Sequence, residues 1–431
     1  MNNKRGENIL TGIKRFLSDH RYYFAILAFI LLYEWVVVGK LQVWRSDVVA
    51  YEFHSLDFSM GFSSFILPGA VYQLICGAPD VGSLSVYHTV LFLGFSIILA
   101  GFLERVYLCV AKEHRRIAGV LIFLFLTGPS TFSIFVTDLG MPEVYWVYFA
   151  ALFFLFLAYK PLNILIAPLC VLSLLVNYAA ILCYVPFFCI MILYKLSNEK
   201  TKSGKAMLLC TFILCVTVSL SFWTYLVLSS MKNMNYTFEQ FNELMRSRGV
   251  TELTYTDSLL YGKYEEPYPG WFMELAARFP FYTEGDDLSL VQMFFNFIAR
   301  RWAMVYSHLA ERNPLKILVP LLALFPVIGL VFRFCFSELK NKENAKLRRF
   351  VFFCIPALFL FGLAAAWPFS FDAFKWLDFT FLPLFASFLY VVYTEKETVA
   401  LYIKKAVSML SFPQIAMYCS VYAVCVLTAY Y

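Results

Sequence analysis

Apolar runs of about 17 to 25 residues recur along the whole chain, each long enough to cross the roughly 30 Å hydrocarbon core of a bilayer as a helix. They fall at 22–39, 84–107, 117–136, 143–159, 162–178, 180–195, 206–230, 316–336, 350–367, 379–393 and 408–430. In lipid a backbone must satisfy its own polar groups, so runs of this kind read as helices. The expected fold class is therefore all-α, a polytopic membrane helix bundle of about eleven transmembrane helices with one large extracytoplasmic loop. Composition agrees: 61% of residues are hydrophobic and 15% charged, against about half and a quarter in soluble domains. The fifth and sixth runs meet at Asn177–Tyr178 and are short enough to form a bent hairpin of half-length helices. The stretch 62–76 is too short and too marked by Gly and Pro to span, and reads as interfacial or re-entrant.

Basic residues set the orientation. With the N-terminus in the cytoplasm, the inner segments hold Lys14, Arg15, Lys112, Arg115, Arg116, Lys200, Lys202, Lys205, Arg348 and Arg349. Short outer segments hold only Lys40, Arg45 and Lys375, while most acids fall outside. The net charge of +6 comes from the inner loops and is no nucleic-acid signal. This divides the chain into an N-terminal transmembrane region with acidic outer loops (1–230), an extracytoplasmic loop (231–315) and a C-terminal transmembrane region (316–431). The loop has a Pro-punctuated aromatic turn at Tyr264–Trp271 and an amphipathic interfacial helix at 288–305, which ends in Arg300–Arg301. Within it, Asn235-Tyr236-Thr237 matches an N-glycosylation acceptor, a pattern without weight for a bacterial source. The cysteines sit mostly in apolar runs as small hydrophobes; Cys76 alone is expected in an outer loop.

No soluble-enzyme motif occurs, and the five His are scattered in sequence at 20, 54, 88, 114 and 308. Chemistry is instead expected where acids gather at the outer ends of spans. The first group is Trp44-Arg45-Ser46-Asp47, Tyr51-Glu52-Phe53-His54 and Asp57-Phe58-Ser59-Met60-Gly61-Phe62, followed by Leu67-Pro68-Gly69. The second, Thr137-Asp138-Leu139-Gly140-Met141-Pro142-Glu143, is wedged between two apolar spans, where an ionisable group is costly unless hydrated, paired or functional. Glu143 after Pro142 also suits a helix start. The third is Phe371-Asp372-Ala373-Phe374-Lys375-Trp376, where a cation at headgroup depth can meet a lipid phosphate or simply anchor the interface. Glu34, inside the first span, is a further intramembrane acid.

This layout resembles the GT-C class of membrane glycosyltransferases. Those enzymes have a cytoplasmic N-terminus, an acid in the first outer loop, a second acid between spans three and four, and a large later outer loop. The segments Phe58–Phe62, Leu139–Trp146 and Asp372-Ala373-Phe374-Lys375-Trp376 resemble patterns of bacterial glycan-cluster membrane proteins. The last departs from an Asp-x-x-Arg-Trp pattern in carrying Lys, a point charge where Arg offers a fork. The resemblance implies transfer of a sugar from a polyprenyl-phosphate-linked donor to a glycan or lipid acceptor on the outer face. Asp47 or Asp57 matches the first acid, and Asp138 or Glu143 the second, as catalytic carboxylates. Glu52, His54, Arg300, Arg301, Asp372, Lys375 and Trp376 are expected to bind substrate. A cation or a divalent metal such as Mg or Mn would stabilise the departing phosphate. The expected partners are membrane lipid, the donor and the acceptor, in a bacterial inner membrane.

Two other classes fit the same chain. A glycan polymerase or ligase of the O-antigen polymerase type would depend on outer arginines such as Arg246, Arg248, Arg300 or Arg301. A lipid-linked glycan transporter would line a central path with charge, whereas these spans are almost uncharged. The glycosyltransferase reading expects the first and second outer loops to share one site.

Overall fold

The computed structural model describes residues 16–37, 48–110, 112, 115–127, 141–229 and 234–250, with isolated positions between 274 and 417. Among these residues the chain is helical and has no strand; one isolated antiparallel bridge joins Gly61 to Met234. The helices are α1 (Arg21–Val37), α2 (Val48–His54), α3 (Ile66–Cys76), α4 (Val81–Cys109), α5 (Arg115–Thr127), α6 (Tyr145–Ala158), α7 (Ile166–Val176), α8 (Ala180–Asn198), α9 (Lys202–Ser229) and α10 (Phe238–Ser247). Short 3-10 turns at Pro142–Val144 and Lys160–Leu165 precede α6 and α7.

Two stretches, Val81–Leu108 and Lys202–Leu226, are long and apolar enough to cross a membrane. Each described run expected to span is occupied by a helix. The pair at 162–178 and 180–195 is longer than half-length helices. Helix α8 has 19 residues and runs through Pro186. Helix α7 has 11, but the turn before it adds about 12 Å to its own 16 Å or so. The last four expected spans and the helix at 288–305 lie outside the described residues, apart from isolated helical positions.

Side-chain contacts sort into two ends. At one, here the acidic end, meet α2, α3, the start of α4, Met141–Tyr145, the α7–α8 turn, the end of α9, and α10. Phe65 packs edge-on against Tyr178 at 6.0 Å, Phe62 against Phe222 at 5.7 Å, and Asn235 donates to the Ser59 carbonyl at 2.9 Å. At the other, basic end, His20 meets Glu104 at 3.2 Å, Lys160 meets Thr201 at 3.4 Å, and Arg349 donates to the Ser197 carbonyl at 2.7 Å. The segments expected outside gather at the first end and those expected inside at the second. Successive long helices thus run up and down.

The core lies where α6, α7, α8 and α9 pack. Trp146, Tyr184, Phe187 and Phe188 are almost fully buried. Phe153 stacks on Phe188 with centroids 4.2 Å apart, and the Trp146 indole N–H donates to the Ser173 carbonyl at 3.0 Å. That last bond satisfies a buried indole donor, without which its desolvation would cost about 1–3 kcal/mol.

Candidate functional site at the acidic end

The acidic end is built on a tight corner between α2 and α3. Gly69 makes it possible: a Cβ there would stand 2.7 Å from the Phe53 carbonyl oxygen and closer still to that of Leu56. Gln73, one turn further along α3, donates to the carbonyls of His54 and Leu56, both at 3.0 Å, and so finishes the C-terminus of α2. Phe65 enters α3 with φ of +72°, a left-handed conformation costing about 1–2 kcal/mol in a non-glycine residue. Its ring is buried against Phe53, 5.8 Å away, which offsets that strain.

Asp57 lies in the turn after α2. Its Oδ1 accepts from the backbone N–H of Ser59 at 2.7 Å and from the Ser59 hydroxyl, and its Oδ2 faces Arg248 Nη1 at 2.8 Å. Partial burial pushes the carboxyl up, but the Ser59 and Arg248 contacts outweigh it and hold the group below its usual range. Arg248 Nη1 also donates to the Ser55 carbonyl at 2.6 Å. The Tyr51 hydroxyl shares one proton between the carbonyls of Pro79 and Arg248, each 2.9 Å away, and burial raises its pKa. Gly249 turns the chain after α10 with φ of +88°; a Cβ there would lie 3.1 Å from the Tyr51 hydroxyl. Thr237 caps α10, its hydroxyl accepting from the Gln240 N–H while the Gln240 side chain accepts from Thr237 N–H. Arg248 is therefore fixed from both sides of the helix that carries it.

Beneath this surface lies a buried polar chain. The His54 Nδ1–H donates to the Ala50 carbonyl at 2.7 Å, which leaves Nε2 as the acceptor. Tyr145 Oη is 3.1 Å from that nitrogen, His88 Nε2 is 3.3 Å from it, and Tyr87 Oη is 3.0 Å from Tyr145 Oη. Donation therefore runs from Tyr87 to Tyr145 to His54 to the backbone, with His88 as a second donor to the same lone pair. His54 is fully buried, and that burial lowers its pKa to about 4 despite the Ala50 bond. The imidazole is neutral at physiological pH. Tyr72 packs edge-on against the His54 ring at 5.6 Å and bonds the Ser83 hydroxyl at 2.6 Å.

The structure brings Asp57 and His54 to one end. Glu52 and His54 are both fully buried, so neither side chain is on the surface. The second outer segment lies beside the first, because Met141 packs against the cluster of Phe53, Leu56, Phe65 and Ile66 and Tyr145 reaches His54. Glu143 stands in the 3-10 turn between Met141 and Tyr145; its side chain lies outside what the structure describes, as does that of Glu34 in α1. Asp47, Asp138, Arg300, Arg301, Asp372, Lys375 and Trp376 lie outside the described residues. Among those described, no three His, Cys, Asp or Glu side chains converge as a metal would require.

Sequence reading missed Arg248 as a partner of Asp57, and missed Tyr87, His88 and Tyr145. Arg248 follows an amphipathic helix whose apolar residues Phe238, Phe241, Leu244 and Met245 recur at helical spacing, but that pattern does not say which surface the helix docks on. Tyr87 and Tyr145 lie in or beside long apolar runs, where nothing in the sequence sets them apart from the many other aromatics. Two histidines in or beside apolar runs were the available signal, since a buried ring nitrogen needs a partner. No family model, curated protein or solved structure matches this chain.

Proposed function

We propose that the chain is a multi-span integral membrane protein of a bacterial inner membrane that transfers a sugar from a polyprenyl-phosphate-linked donor to a hydroxyl acceptor on the outer face. In this reading the acidic end faces outward and the basic end lies in the cytoplasm, as the Lys and Arg distribution favours. Two long apolar helices support it, as do the exposed side chains of Val90 and Ile97 on α4 and Ile213 and Leu220 on α9.

The observation that carries the reading is the posture of Arg248. Its Nη1 is taken by Asp57 and Ser55, while the N–H groups of Nη2 and Nε have no protein partner among the described residues. A guanidinium held on one side offers its other edge to a phosphate. The acceptor oxygen would attack the anomeric carbon opposite the phosphate. The carbon–oxygen bond to phosphate breaks, polyprenyl phosphate leaves with the electron pair, and the sugar inverts. Arg248 stabilises the charge that develops on the leaving group. A carboxylate takes the acceptor proton. Asp57, with both oxygens engaged and its pKa depressed, serves better to orient Arg248. The base then falls to Asp47, Asp138 or Glu143. The same Arg248 edge also suits the diphosphate of a polymerase or ligase donor.

Binding of a polyprenyl phosphate to the purified protein in lipid nanodiscs tests the proposal. We expect saturable binding that weakens at least tenfold in Arg248→Gln with the melting temperature preserved. Equal binding by variant and parent would overturn the role of Arg248, and absence of binding would overturn the donor class. Preference for polyprenyl diphosphate would move the assignment to the polymerase or ligase. Orientation is read separately in intact cells. An impermeant maleimide should label Cys76, which is exposed beside the corner, and should not label Lys200→Cys in a Cys76→Ser background.

A further inference from the structure

At the basic end a groove of about 280 Å³ opens between α1, α4 and α5. One stripe of α1 from Tyr22 to Phe29 and one stripe of α5 from Gly119 to Leu126 form its walls, and Tyr107 of α4 closes its end. Both stripes follow helical spacing, so each wall is a single face, about 10 Å long. The lining is apolar apart from the two phenols, whose rings lie 4.6 Å apart. Gly119 stands opposite the Tyr107 ring, where a Cβ would already touch it at 3.9 Å.

Two guanidinium groups flank this mouth. Arg21 stacks over Tyr22 at 4.7 Å and donates to its hydroxyl at 2.9 Å. Arg115 lies over Tyr107 at 5.8 Å, and its Nε is buried with no hydrogen-bond partner. A cation left without a partner on its buried side is costly, and an anion meeting the exposed part of this partly buried guanidinium would offset that cost. Among the described residues on or beside α1, α4 and α5 at this end, the acids are Asp19, which is exposed, and Glu104. The Glu104 carboxylate accepts from the Tyr23 N–H at 3.1 Å and meets His20 at 3.2 Å.

We propose that this groove seats one acyl chain of an anionic phospholipid of the inner leaflet, with its phosphate held by Arg115 and Arg21. The inference rests on the membrane topology proposed above, but not on the sugar chemistry. An apolar slot of about two helical turns fits a stretch of acyl chain. Cations at its cytoplasmic mouth lie at the depth of the headgroup phosphate, where anionic lipids are concentrated. Arginine suits that phosphate through its fork of donors.

Native mass spectrometry of the full chain, extracted in mild detergent and supplied with phosphatidylglycerol or phosphatidylcholine, tests this. We expect one phosphatidylglycerol retained per chain, at least tenfold over phosphatidylcholine. Arg115→Gln should abolish the preference, and Gly119→Leu, which plugs the mouth without altering charge, should abolish retention. Thermal melting identifies any variant that fails to fold, and Leu126→Trp, which fills the groove at its far end, then replaces Gly119→Leu. Unchanged retention in the variants, equal retention of both lipids, or a dimer whose interface covers the groove would overturn the proposal. If the chain is recovered from cells without detergent, the topology itself fails; loss of the lipid preference alone leaves that topology standing.

Discussion

At the basic end, Asn163 bonds the carbonyls of Phe156 and Leu157, and Lys195 reaches Leu157 and Asn163. These contacts finish a helix and close a hairpin. Contacts at the basic end also reach across the chain, 84 positions from His20 to Glu104 and 152 from Arg349 to Ser197, but those at the acidic end reach further: Tyr51 and Ser55 contact Arg248 across 197 and 193 positions. There the polar groups tie together segments that have no local reason to meet. A turn that only reverses the chain can be built from its neighbours. An end that holds a guanidinium beside a carboxylate and buries a histidine chain must recruit from several helices.

The largest expected effect tests whether the acidic corner is as tight as its carbonyls indicate. Gly69→Val should cost about 3 kcal/mol or more, because backbone oxygens of α2 cannot move aside. Gly94→Ala on α4, where a Cβ meets nothing within 4 Å, should leave the melting temperature in detergent unchanged. Similar melting of the two variants would dissolve the distinction.

Next comes acidity. His54 has a folded pKa of about 4, lowered from 6.5. Its contribution is complete above the unfolded value, declines as pH falls through 6.5, and is exhausted near 4. By linkage the loss at pH 5 is about 2 kcal/mol. Melting in detergent at pH 7.5 and pH 5 should reveal this slope, and His54→Asn should make it shallower, His88 being buried beside it. A parent protein equally stable at both values would show that the ring is not buried neutral.

A smaller effect is expected at the other end. Lys195→Met removes a charged donor from the end of α6 and should cost about 1.5 kcal/mol. It should leave polyprenyl phosphate binding intact. If it weakens binding as much as Arg248→Gln does, the two ends are not functionally separate.

The smallest stability change belongs to Asp57→Asn. The Asn oxygen still accepts from Ser59 in place of Oδ1 and Arg248 keeps its bond to the Ser55 carbonyl, so the loss should be roughly 1 kcal/mol. Its consequence should appear instead in phosphate binding, through a less well oriented Arg248. Asp57→Asn with full binding affinity would reduce the ion pair to a structural clasp.

The helices were legible because hydrocarbon demands long apolar runs, and Val81–Leu108 satisfies that demand almost by itself. The meeting of Phe53 with Met141 was foreseeable in outline, since both follow helices that end on the same side. What lay beyond reading was direction. Alternation of apolar and polar residues gives no register when a helix is apolar on all sides, so nothing indicated that His88 would face His54. The polar stretch around Arg248 offered several arginines of equal standing, and their choice depends on where α10 docks. Phe241 and Met245 set that docking by burying against the α2 corner.

The contact between Arg248 and the Ser55 turn also sets a schedule. The two residues are 193 positions apart, and at about 5–20 residues per second the ribosome needs roughly 10–40 s to pass from one to the other. During that interval the α2–α3 corner has been made without its clasp, and α4 to α9 must be synthesised before α10 can reach back. The acidic end can therefore close only after more than half of the 431 residues have been made. A chain truncated before residue 237 would carry α1 to α9 with an unfinished face, detectable as protease sensitivity near Ser59.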